Sequence, residues 1–144
     1  MTGIQVTAAT PAQRAKAIEA LVVGFAANPT CRWIWPDLGQ YMTAMPQLIE
    51  ALAGRAFDNG TAYVDQDVRG AALWLAPDTE PDQEAIAALI ERTIDPVRLE
   101  DVGLLFAKLE QYHPQNEPCW YLPFIAVEPF SQNKGIGDAL MRHA

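Results

Sequence analysis

The sequence predicts an α+β domain, on three observations. Short runs at residues 4–8, 61–65, 68–76 and 119–127 have the length and patterning of strands. The longer stretches between them repeat apolar residues at spacings of three and four, as amphipathic helices do. Only Gln66 and Asp67 separate the two middle strands, so these form a hairpin and are antiparallel.

Residues 4–8 alternate apolar and polar side chains, the pattern of a half-buried strand. Thr10-Pro11-Ala12-Gln13 then reads as a capping box with proline at the first helical position, where its missing N–H costs nothing. Ile18, Leu21, Val22 and Phe25 form one apolar face of that helix. It is expected to end at Asn28-Pro29, because the residue before proline avoids helical geometry. Residues 30–36 read as a short, irregular and unusually aromatic connection. A second helix carries Leu48, Ile49, Leu52, Ala53 and Phe57 on one side, with Tyr41 ahead of it and Pro46 in its first turn or at a kink. Asp58-Asn59-Gly60 turns the chain into the hairpin. Residues 81–94 and 96–112 read as two further helices; Asp95 caps the second, and Pro96 opens it. Leu99, Val102, Leu105, Phe106 and Leu109 supply its apolar face. The proline-rich stretches 78–82 and 113–118 are loops within a single domain spanning residues 1–144.

Half of the 144 residues are apolar, enough for one domain with its own core. A net charge of −8 argues against a surface built to bind nucleic-acid phosphates and suits attraction of a cationic amine. No apolar run approaches the roughly 18 residues of a membrane span, and Met1-Thr2-Gly3 does not open a signal peptide, so no membrane partner and a cytoplasmic location are expected. Cys31 and Cys119 are too few and too isolated for a disulfide framework or a metal site and read as buried free thiols. His113 and His143 have no recognisable partner and read as surface or capping residues.

The most informative stretch is the last one. An apolar, aromatic and β-branched strand over 119–127 is followed by the turn Glu128-Pro129-Phe130-Ser131, and Gln132-x-x-Gly135-x-Gly137 then opens a helix with Ile136, Ala139 and Leu140 on one face. Such a strand, glycine loop and helix bind anions: the first N–H groups of a helix have no internal partner, and the peptide dipoles add positive charge there. The alternative is that Gly135 and Gly137 merely let the helix approach the strand. A Rossmann site fits worse, since Leu140 stands where its third glycine would be, and no Gly-Lys-Ser/Thr of a Walker loop is present.

The Val127-x-Pro129 turn together with Gln132-x-x-Gly135-x-Gly137 resembles the acetyl-CoA-binding core of the GNAT acetyltransferases. The resemblance implies a three-layer α/β/α fold with a mostly antiparallel central sheet, and acetyl-CoA as cofactor. Ile125, Ala126 and Val127 would then lie on the pantetheine arm, and Gln132, Asn133, Lys134, Gly135, Ile136, Gly137 and Asp138 around the pyrophosphate. By the same resemblance Trp33, Trp35, Tyr41 and Trp74 are candidate acceptor contacts, although Trp33 and Trp35 serve core packing equally well and a strand tryptophan such as Trp74 is more often core. The helical insertion before the last strand is similar to the branch that includes puromycin acetyltransferase.

The implied activity is transfer of an acetyl group to a primary amine of a small molecule by direct attack on the thioester. The Val127 N–H would stabilise the oxyanion. Glu117 and Glu128 flank the strand as weak candidates for the general base, and no residue is assigned as the acid. The family fold normally continues beyond a helix like the one that starts at Ile136, so the sheet is expected to be incomplete at its C-terminal end. That leaves an exposed strand edge through which a homo-oligomer would form. The alternative function is a non-catalytic CoA-binding or assembly module completed by another chain.

Overall fold

The computed structural model describes residues 3–112 and 118–143 of the chain. Four strands, Val6–Ala8 (β1), Ala62–Asp65 (β2), Gly70–Leu75 (β3) and Tyr121–Val127 (β4), form one antiparallel sheet in the order β1-β2-β3-β4. The β2–β3 hairpin is as expected, but its second strand starts at Gly70, two residues later than the apolar pattern suggests. Val68 lies in the turn with φ 52°, held there by the buried Asp65 carboxylate.

Helices Arg14–Gly24 (α1), Pro29–Ile34 (α2), Leu38–Ala53 (α3) and Arg55–Asp58 (α4) separate β1 from β2. Gln13 Oε1 accepts from the Thr10 N–H at 2.9 Å, the expected reach-back of the capping box. The aromatic segment after Asn28 is not irregular but helical. The Asn28 side chain accepts from the N–H groups of Thr30 and Cys31 at 3.0 and 3.1 Å, and Pro29 takes the first position, so Asn-Pro starts α2. It does not end α1 as expected: that helix stops earlier, at Gly24, where Phe25 (φ −94°, ψ 2°) leaves helical geometry. In the same way Asp37 accepts from the Gln40 N–H at 2.9 Å and starts α3 early enough to include Tyr41 and leave Pro46 inside the helix. Arg14 ties α1 to α3 and α4 through Glu50 and Asp58.

Between β3 and β4 lie Gln83–Thr93 (α5) and Leu99–Tyr112 (α6), the expected helical insertion. Arg98 donates to the terminal carbonyls of α2 at Trp33 and Ile34. Final comes Ile136–His143 (α7).

Alternation along β3 separates two apolar layers. Ala71, Leu73 and Leu75 join the core under α1 and α3, whereas Ala72 faces α7 with Val127, Ile136 and Leu140. The result is helix, sheet and helix in three layers. Between Leu73↔Phe124 and Leu75↔Tyr121 the register advances two residues on β3 and three on β4. The extra residue is a bulge at Leu122-Pro123, where proline's missing donor is tolerated. Among the described residues no helix is long and apolar enough to cross a membrane.

Candidate functional site

The register decides which peptides of β4 are available. Gly70 pairs with Val127, and the Glu128 N–H donates to the Arg69 carbonyl at 2.8 Å, so Glu128 and Arg69 form a hydrogen-bonded pair. In an antiparallel ladder such pairs alternate along the strand. The peptide groups of Ala126 and Phe124 therefore face β3, while those of Val127 and Ile125 face the opposite edge. Among the described residues no strand pairs with that edge. Of the three residues expected on the pantetheine arm, Ile125 and Val127 thus offer backbone groups there. Ala126 does not: its side chain packs against the end of α1, where a Cβ on Gly24 would lie 2.7 Å from the Ala126 Cβ.

Beyond β4 a 3-10 turn, Pro129–Ser131, leads into the glycine loop. Gln132 Nε2 donates to the Val127 carbonyl at 3.0 Å, folding the loop back over the strand end. Asn133 and Gly135 have φ 65° and 88°, left-handed conformations that asparagine tolerates and glycine accepts at no steric cost. The Ala139 N–H then donates to the Gly135 carbonyl at 3.0 Å, which starts α7 and leaves the N–H groups of its first residues without helical acceptors. Val127, Ser131, Gln132, Asn133, Gly135, Ile136, Gly137 and Asp138 line a cavity of about 370 Å³ at this helix start. Lys134 is exposed beside it, and Asp138 pairs with Arg142 at 2.8 Å on the outer side of the helix.

Two glycines make room for this arrangement. A Cβ on Gly70 would stand 3.0 Å from the Ala126 carbonyl oxygen and Val127 Cγ2 and 3.1 Å from Ile136 Cγ2, so a side chain there would press against both β4 and α7. At Gly137 the nearest atom to a Cβ would be Val127 Cγ2 at 3.9 Å, so space at the helix start is open rather than filled. A concave, backbone-lined cradle next to two outward-facing strand peptides fits a ligand with an anionic head and an amide-bearing arm.

The expected acceptor residues do not gather around this cavity. Trp35 and Tyr41 have no exposed surface, which corrects the expectation that they contact a substrate. Trp35 donates from Nε1 to Thr93 Oγ1 at 3.0 Å, and the Tyr41 hydroxyl donates to the Val22 carbonyl at 2.6 Å. Burial pushes the Tyr41 hydroxyl well above the usual phenol range and raises the nearby Cys31 thiol. Cys31 and Cys119 are half-buried free thiols rather than buried ones. Trp33 is 43% exposed, its ring 5.0 Å beneath the Arg98 guanidinium. Trp74 is partly exposed on the α7 side of the sheet, and its indole N–H is enclosed with no acceptor among the described residues. His143 is exposed, its ring 4.7 Å from that of Tyr63.

Glu128 is half-buried, and its Oε1 accepts from Ser131 Oγ at 2.8 Å. It is a brace for the turn rather than a free base. Ser131, buried and lining the cavity, escaped the sequence reading because a serine in a turn carries no distinguishing signal. Glu117 and His113 lie outside the described residues.

No protein-family model matches the chain. Among solved structures it is similar to a protein from Corynebacterium glutamicum described as histone acetyltransferase HPA2 and related acetyltransferase, with a TM-score of 0.63 and 25% identity over 99% of this chain and 70% of that one. The fold is that of the GNAT acetyltransferases. The likeness carries no assignment to the puromycin acetyltransferase branch.

Proposed function

We propose that this GNAT chain is an acetyl-CoA-dependent N-acetyltransferase whose acceptor is a primary amine on a small molecule. The observation that carries the reading is the adjacency of two things: the outward-facing peptides of Ile125 and Val127, and the helix-start cavity lined by Ser131, Gln132, Asn133, Gly135, Gly137 and Asp138. When bound, acetyl-CoA supplies a thioester carbonyl open to attack. The N–H groups at the start of α7, with Lys134 nearby, hold the pyrophosphate. The Ile125 peptide pairs with the pantetheine arm in the manner of an added strand. The Val127 N–H, on the outward edge of β4, would face the thioester carbonyl and would stabilise negative charge on its oxygen. The chain's net charge of −8 favours approach of a cationic amine. Trp33 and Trp74, the two expected acceptor residues that keep exposed surface, are the acceptor contacts this reading retains.

A second reading, a CoA-binding or assembly module without catalysis, is favoured by one observation. Among the described residues the one carboxylate lining the cavity, Asp138, is exposed and engaged by Arg142, so these residues supply no free base there. Calorimetric titration of acetyl-CoA into the chain tests what both readings share. Saturable binding is expected, and a folded chain that takes up none overturns both. Adding a panel of amines and following free thiol then separates them, since thiol release requires the transferase.

A further inference from the structure

We propose that Asp65 is a positioning residue for the glycine loop, acting across the sheet through Arg69 and Glu128. The inference rests on the reading of that loop as the cofactor cradle only for its consequence in binding; the mechanical link stands on the geometry alone.

Asp65 ends β2 with no exposed surface. A buried carboxylate is tolerated only when donors surround it, and here they do. Oδ1 accepts from the N–H groups of Arg69 at 2.7 Å and Gly70 at 2.9 Å, and Oδ2 from the Asp67 N–H at 3.3 Å and Arg69 Nε at 3.2 Å. The turn so held contains Val68 at φ 52°, a conformation that a β-branched residue avoids. Closing a hairpin does not require this. Two-residue turns rich in asparagine and glycine do so without any buried charge.

The output of the turn lies on the other strand. Arg69 presents its carbonyl to the Glu128 N–H at 2.8 Å, and Glu128 is the first residue after β4. Glu128 in turn holds Ser131 twice, its carbonyl accepting from the Ser131 N–H at 2.9 Å and its side chain from the Ser131 hydroxyl at 2.8 Å. Gln132 then closes onto Val127. Gly70, fixed by the same Oδ1, leaves no room for a side chain between Val127 and Ile136. The carboxylate therefore sets the position of the residue before the loop and of the residue that opens α7.

The experiment compares Asp65→Asn and Glu128→Ala with Leu89→Ala, a core change in α5 that lowers stability far from the loop. Assigned amide spectra of the ligand-free proteins report on the loop, thermal unfolding reports stability, and calorimetry with coenzyme A reports binding. Expected are shifted amides at Asn133, Gly135 and Gly137 in both test variants, unshifted ones in Leu89→Ala, and coenzyme A affinity weaker by about tenfold in the test variants alone. Loop amides that stay in place in a folded Asp65→Asn, or an affinity loss no greater than that of Leu89→Ala, overturn the inference. If Asp65→Asn does not fold, Glu128→Ala decides by the same criteria. Displaced loop amides in the variants, with no coenzyme A binding by the unaltered chain, keep the positioning role and discard the cofactor reading instead.

Discussion

On one face of the sheet α1 and α3 bury Leu21, Ile49, Leu73 and Phe124 in a continuous core, which Ile86, Leu89 and Val102 of the insertion extend. On the other face, among the described residues, α7 is the one helix that covers Ala72 and Val127, using Ile136 and Leu140. The contrast separates two roles within one sheet. Apolar burial, which supplies most of the driving force for folding, is concentrated on the first face. The second face and the adjoining edge of β4 keep backbone groups accessible, as a binding site must. It also explains why Trp35 and Tyr41 are not at the site: both point into the deeper face, where large rings bury most area.

The contrast can be broken most forcefully from the deep side. Replacing Trp35 by alanine removes a wholly buried ring and leaves Thr93 without its indole donor, so stability should fall by about 4 kcal/mol in denaturant unfolding. The affinity of the remaining folded molecules for acetyl-CoA should be unchanged. A loss of affinity larger than the unfolded fraction accounts for would return Trp35 to the site.

Gly135→Asp attacks the thin face instead. The change places a side chain at φ 88° and a negative charge in the cradle, so acetyl-CoA affinity should drop about a hundredfold, or about 2.7 kcal/mol, in a calorimetric titration. The cost to folding should be only about 1–2 kcal/mol, from the left-handed backbone. A folded variant that binds normally would remove the loop from the site.

The smallest effect sharpens the description of the deep side. Tyr41→Phe leaves the Val22 carbonyl without its hydroxyl donor and should cost about 1 kcal/mol at neutral pH. Its pH dependence is more telling. Burial raises the Tyr41 hydroxyl above its unfolded value of about 10, so the folded state holds this proton more tightly. The corresponding stability is complete below that pH and is lost as pH rises past it toward the folded value. Thermal unfolding between neutral and strongly alkaline pH should show a decline that is shallower in Tyr41→Phe. Equal slopes would place Tyr41 in solvent contact.

Much of this architecture was legible residue by residue. The hairpin, the caps at Asp95 and Thr10, and the order of strand, glycine loop and helix all follow from signals a few residues long. Asn28-Pro29 shows how such a signal can be misread: α1 ends earlier, at Gly24, and the asparagine instead caps the next helix. Asp65 was not legible at all. An aspartate beside Gln66 and Asp67 looks like part of a solvated turn, and only the finished sheet encloses its carboxylate among four donors.

What the sequence by itself determined is therefore local: which segments are helices or strands, and that the glycine loop opens a helix after a buried strand. These depend on capping, periodicity and allowed backbone angles, whose range is one or two turns of chain. The tertiary structure decided which face each aromatic ring occupies, which peptides of β4 point to the open edge, and how a buried aspartate across the sheet braces the loop. Those depend on register and on contacts between residues far apart in sequence, which arise only when the sheet is assembled.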